Sequence, residues 1–185
     1  MLYDSFSYKE ELASELQTVT RRLENARGED EEAAGLRLER FVFWTAFITR
    51  KMSEAQKLSD ELESTDFQVS RYPRIDPKRL QDFMNWHRVE QFYDLNTFED
   101  KRVSLLWICD QLTHSFVFFP ELDEDSASPI AIFFNSDRSR TDSLFRIEWQ
   151  EFVRLVKLVA SDDVVSMSYD RRSSLLKKSR RNQGN

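Results

Sequence analysis

Between Leu36 and Gln183 the chain contains no glycine, and this 148-residue gap limits what it can fold into more than any other feature. Only Gly28, Gly35 and Gly184 could adopt left-handed backbone at no steric cost, so nearly every turn must be built from Asp, Asn, Ser or Pro. Loops that wrap a pyrophosphate need closely spaced glycines for the backbone to approach the ligand. P-loop and dinucleotide-binding fingerprints are therefore absent.

Other absences narrow the chemistry. Cys109 is the sole cysteine, so neither an internal disulfide nor a multi-thiolate zinc site can form. The two histidines, His87 and His114, lie 27 positions apart, and no paired-His helix of the zinc hydrolases exists. Apolar stretches such as 41–48 and 144–159 are short or interrupted by charge, which excludes a membrane span. The opening residues show no basic segment followed by an apolar one. The expectation is a cytoplasmic protein with no metal, no cofactor and no membrane association.

Charge is unevenly distributed. Of 27 basic residues, six fall within 171–185, a segment with no acidic residue. This leaves 21 basic against 33 acidic residues in 1–170, a body at −12 within a chain at −6. Such a body repels a nucleic-acid backbone and suits basic protein partners. Nucleic-acid binding, if any, falls to the basic segment 171–185, which reads as a flexible tail.

Apolar spacing gives the architecture. Leu12, Leu16, Val19 and Leu23 form one helical stripe, with Ser7 and Glu10 as a capping box. A second, longer helix over about 31–63 carries Leu38, Phe41, Thr45, Ile48, Met52, Ala55, Leu58 and Leu62. Together they predict a helical hairpin over 8–63. Asp76-Pro77 predicts a helix start, followed by Leu80, Phe83, Met84 and Val89. Asn96, or Thr97 with Asp100, predicts the cap of a helix running to His114. Beyond it the period falls from 3.6 to 2. Runs at 115–120, 130–134 and 144–149 predict a three-stranded antiparallel meander, capped by a helix over 150–160. The fold class is α+β, with 1–170 as one domain of helical hairpin, further helices (76–160 with the sheet) and small meander.

Candidate chemistry is sparse. Asp110 and His114 are four apart on one helix, so a carboxylate could orient an imidazole for acid–base work. The stretch from Asp110 to His114 is faintly similar to the Asn-x-x-x-His half of the Arg-Asn-x-x-x-His motif of HEPN helical ribonucleases. The similarity covers about six residues, with Cys109 at the arginine position, and assigns no family; it implies His114 as the acid–base group. Arg138 and Arg140, with Arg50 and Lys51, are anion-binding candidates through their charge and forked donors. Phe43, Trp44 and Phe47 make the second helix apolar nearly all round, a surplus suited to partner binding.

The leading expectation is a non-enzymatic interaction protein of immunity, antitoxin or assembly-accessory type, binding a protein partner or a second copy of itself. The alternatives are a degenerate enzyme acting on a phosphate-containing substrate such as RNA through His114 and Asp110, and nucleic-acid binding through 171–185.

Overall fold

The structure, a computed structural model, describes residues 4–24, 31–123, 128–173 and 175–180. It is an α+β fold: α1 (Phe6–Glu24), α2 (Glu31–Glu54), α3 (Asp60–Glu63), β1 (Asp66–Pro73), a 3-10 turn (Val89–Gln91), β2 (Glu99–Ser104), α4 (Leu105–Thr113), β3 (Ser115–Leu122), β4 (Pro129–Ser136), β5 (Ser143–Glu148), α5 (Trp149–Ser161), β6 (Val164–Asp170) and β7 (Leu175–Arg180).

Two helices occupy most of the region expected as a hairpin, α1 and α2, with residues 25–30 outside the described residues and changes at two of the helix ends. α1 starts one residue before the expected Ser7 cap, because Asp4 accepts hydrogen bonds from the Phe6 N–H at 2.9 Å and the Ser7 hydroxyl at 3.0 Å. Leu12, Leu16 and Val19 are buried as their spacing requires. α2 ends at Glu54, nine residues earlier than expected. There Gln56 takes φ 59°, the Gln56 N–H bonds to Ser53 O and the Lys57 N–H to Met52 O. This is the stop that a glycine usually makes, here made without one. Ser59 then starts α3, its hydroxyl accepting from the Leu62 N–H. Leu58 and Leu62 are still fully buried, so the stripe stays in phase with the core although the helix has been broken.

The sheet has five antiparallel strands in the order β2-β1-β5-β4-β3, which corrects the expected three-stranded sheet. Asp66–Pro73 adds to β5, and Glu99–Ser104 pairs with it on the outside. The latter segment was expected to be the first turns of a helix. As an edge strand its Glu99, Asp100, Lys101 and Arg102 face solvent, a charged edge that discourages further pairing. The helix begins only at Leu105, where the Ser104 hydroxyl accepts from the Trp107 N–H.

Strand alternation separates two cores. Phe67 and Val69 of β1, Ile132 and Phe134 of β4, and Phe145 and Ile147 of β5 pack with the helices α1, α2, α4 and α5. Tyr72, Val117 and Leu144 belong to the opposite face, where Val89, Phe92 and Tyr93 of the 74–98 loop cover them. Burying each such aliphatic or aromatic side chain contributes about 1.5–3 kcal/mol.

A buried polar knot joins distant elements. Lys9 Nζ donates to Lys57 O at 3.1 Å and to the carbonyl of Asp162, just beyond α5. The Asp162 carboxylate accepts from Ser59 N at 2.9 Å and Ser59 Oγ at 2.5 Å. Burial lowers the Lys9 pKa, against the nearby Asp162 charge that raises it. Every one of these groups has a partner, which is what allows them inside.

The basic segment expected as a flexible tail is ordered as far as Arg180, with 174 and 181–185 outside the described residues. It forms β7, paired with β6, and Lys178 is buried against α3. Among the described residues no helix is long and apolar enough to cross a membrane.

Candidate functional site

The end of α4, the β4–β5 turn and the last turns of α2 line a cleft of about 400 Å³, formed by Arg50, Asp110, Gln111, His114, Ser136, Asp137 and Arg138. The sequence candidates Arg50, Asp110, His114 and Arg138 thus meet in one place. His114 is there because it caps α4, its N–H bonding to Asp110 O and Leu112 O. The turn is held beside it by the Asp137 N–H on His114 O, and by Gln111 Oε1, which accepts from Ser139 Oγ at 2.7 Å and Ser136 N at 3.2 Å.

The expected Asp110–His114 pair is replaced by an arginine bridge. Arg50 Nη1 lies 2.8 Å from Asp110 Oδ1 and 3.1 Å from His114 Nε2, while its Nε donates to Glu54 Oε1 at 3.0 Å. An arginine donor aimed at Nε2 makes that nitrogen the acceptor and places any ring proton on Nδ1. Arg50 therefore faces two carboxylates and an imidazole. Asp110 and Glu54 are 58% and 47% exposed, as in a solvated ion-pair cluster. The arrangement ties α2 to α4 and leaves Arg50 little capacity for an incoming anion.

The remaining anion candidates divide. Lys51 Nζ sits 2.7 Å from Glu54 Oε2 and lies over the Phe47 ring at 5.8 Å. Hydrogen bonds from Lys51, then Arg50, hold the Glu54 carboxyl below its usual range. Arg140 pairs with Asp137 at 3.0 Å, donates to Gln81 O and stacks 3.9 Å over the Phe116 ring. Arg138 is exposed and makes no ion pair among the described residues. Cys109, behind this cleft, is wholly buried, and burial pushes its thiol up to about 12, with the neighbouring Asp110 charge adding to the rise. No cluster of three metal-ligating side chains occurs among the described residues.

The aromatic belt of α2 is largely consumed inside the fold. The Phe43 ring packs 4.7 Å from Phe118 of β3, and Trp44 lies 6.2 Å from Tyr8 of α1. Of the three partner-binding candidates only Phe47 is an exposed side chain.

The apolar surface lies elsewhere, on residues expected to form a helix after Asp76-Pro77. Asp76 does not cap a helix. Its Oδ1 accepts from the Lys78 N–H, closing a tight turn, and the chain runs to Phe98 with only the 3-10 turn as regular structure. Leu80, Phe83 and Met84, expected on that helix, are 75%, 83% and 83% exposed. Their spacing of three and one matched a helix face, but no buried apolar residue follows before Val89, and Trp86, His87 and Arg88 intervene.

This loop is nonetheless rigidly held. Arg74 reaches across its base: Nη1 donates to Gln81 Oε1 at 2.9 Å and Arg140 O at 2.7 Å, and Nη2 to Arg79 O at 2.5 Å. The buried Tyr93 hydroxyl accepts from Asn135 Nδ2 at 2.8 Å and lies 2.7 Å from Gln81 Oε1 and Arg140 O, with one proton to give to either. Asn135 also bonds Ser143 O and the Val117 N–H, filling the gap in the ladder that a β-bulge leaves between Ser115 and Val117. Arg79 donates to Gln91 twice and lies over Phe92. The Ile75 N–H bonds to Phe92 O and the Asp94 N–H to Pro73 O, closing the stem.

Compared with family models, with curated proteins and with solved structures, the chain matches none.

Proposed function

We propose that this is a protein–protein interaction protein, of the immunity, antitoxin or assembly-accessory kind, which docks its partner through Leu80, Phe83 and Met84. One observation carries the reading: three large apolar side chains are held in solvent by a loop whose stem is locked through a buried network. Exposed apolar groups on a fixed backbone lose little conformational entropy on binding, which is how a few residues come to dominate an interface. The phosphate-directed alternative is less favoured, because Arg50 already faces Glu54, Asp110 and His114.

The test is a double substitution, Leu80→Ser with Phe83→Ser, in the full chain. Wild-type protein purified from its native host is expected to co-elute with a stoichiometric partner. The variant is expected to keep its thermal midpoint and lose that partner. A variant that retains the partner at wild-type stoichiometry refutes the loop as docking surface.

A further inference from the structure

We infer that the docking loop receives an acidic, amphipathic segment of the partner protein. The inference rests on the reading just given and adds the partner's chemistry to it. The whole-chain charge of −6 argues for a basic partner, but charges beyond about 8–10 Å of the contact are largely screened at physiological salt. What counts is the charge around the apolar tip, and there the balance is reversed.

From Arg74 to Glu90 the chain carries four basic side chains, Arg74, Lys78, Arg79 and Arg88, against Asp76, Asp82 and Glu90. Arg74 and Arg79 bond to carbonyl, amide and hydroxyl oxygens, neutral acceptors that leave their charges uncompensated. Lys78 and Arg88 are exposed and make no ion pair among the described residues. Asp76 and Asp82 accept from the Lys78 and Met84 N–H groups, neutral donors that likewise leave their charges in place, and Glu90 is exposed, so the segment of four basic and three acidic residues carries a net charge of +1. Phe83 lies 5.5 Å from the Phe116 ring, which Arg140 covers from 3.9 Å while paired with Asp137, and the exposed Arg138, two residues before Arg140, has no carboxylate partner among the described residues. The apolar tip is thus carried by a segment of net positive charge in which Lys78 and Arg88 are exposed and unpaired among the described residues, the complement of an apolar helix face bordered by Glu or Asp.

An anionic bilayer would meet the same cations, but the tip does not suit insertion. Asp82 stands between Leu80 and Phe83 and would be drawn towards the hydrocarbon with them. Phe83, leaning on Phe116, lies along the body.

The test uses three fluorescent helical peptides of about 18 residues, identical in their Leu/Phe face, with Glu, Gln or Lys on the polar face. Vesicles of equimolar phosphatidylcholine and phosphatidylglycerol provide a fourth arm. The Glu peptide is expected to bind about tenfold more tightly than the Gln peptide, with the difference shrinking as salt rises. The variant Lys78→Glu with Arg88→Glu is expected to shift the preference to the Lys peptide. Equal binding of all three peptides, abolished by Leu80→Ser with Phe83→Ser, would overturn the acidic partner and leave the docking loop standing. Preference for the Lys peptide, binding of vesicles in place of peptides, or no binding in any arm would overturn the acidic partner as well. The docking loop itself stands or falls by co-elution with the host partner.

Discussion

Lys178 Nζ stands 3.0 Å from Glu63 Oε2, an ion pair between residues 115 positions apart that fastens β7 to the short helix α3. The Lys178 N–H adds a bond to Asp60 Oδ2 at 2.9 Å, so both main chain and side chain are engaged. The lysine side chain is 3% exposed while Glu63 and Asp60 are 24% and 46% exposed. Replacing the lysine by alanine leaves those carboxylates partly hydrated, which limits the cost to about 1–2 kcal/mol. Lys178→Ala is expected to raise amide exchange across Val164–Asp170 and Leu175–Arg180 while the five-stranded sheet keeps its protection. Unchanged exchange in the hairpin would show that backbone pairing alone holds it.

Tyr93→Phe removes the hydroxyl on which Arg74, Gln81, Asn135 and Arg140 O converge. Asn135 Nδ2 keeps Ser143 O, so the loss is about 1–2 kcal/mol. The 74–98 loop is expected to exchange its amides faster and to bind its partner more weakly, with Leu80 and Phe83 untouched. Urea melts together with hydrogen exchange would separate the two effects.

The arginine bridge of α2 lends itself to a different measurement. Arg50 is 34% exposed and its carboxylate partners are more so, and pairs of this kind are worth at most about 1 kcal/mol. Arg50→Gln is expected to lower stability by no more than that, to narrow the gap from wild type at high salt, and to leave partner binding intact. A large loss of partner binding with stability preserved would move the functional site to this cleft.

Alkaline pH should expose the thiol. Cys109 is raised from 9.0 to about 12 by burial, and burial raises Tyr93 also. Below pH 9 the thiol is neutral in both states and its contribution to folding is fully present. As pH climbs from 9 towards 12 the unfolded chain ionises first, and stability falls. Lys9, lowered by burial, acts in the opposite sense, favouring the fold as it deprotonates. Cys109→Ala is expected to be less stable at neutral pH through its cavity, with a shallower alkaline decline than wild type. In the native protein the thiol should resist alkylation until the chain unfolds.

Helical stripes were legible where tertiary contacts agreed with local spacing. Leu12, Leu16 and Val19 are buried as expected, as are Leu38, Phe41 and Met52. The failures share one cause. Glu99–Ser104 has a cap signal in front and a helix behind, yet pairs with β1, a partner about thirty residues away that no local pattern reveals. Gln56 stops α2 with a backbone conformation that its side chain does not advertise. In the candidate site, the i,i+4 spacing brought Asp110 and His114 to one side of α4, but Arg50 arrives from α2 and takes the place between them. Leu80, Phe83 and Met84, the residues proposed for docking, were expected on a helix after Asp76-Pro77 because their spacing fits a helix face. The long-range bonds of Arg74 and Tyr93, with the local turns at Asp76 and Asp82, fix that stretch in a non-helical path with its apolar groups in water.

The bond from Lys9 to the Asp162 carbonyl spans 153 residues, and it sets an order on assembly. Among the described residues, the buried ammonium of α1 is satisfied by Lys57 O and by a segment made 153 residues later. A nascent chain lacking α5 would carry that helix with its Leu12–Leu16–Val19 stripe half uncovered. Native docking of α1 must therefore wait until α5 has been made, and until then the stripe is a surface for chaperones to hold.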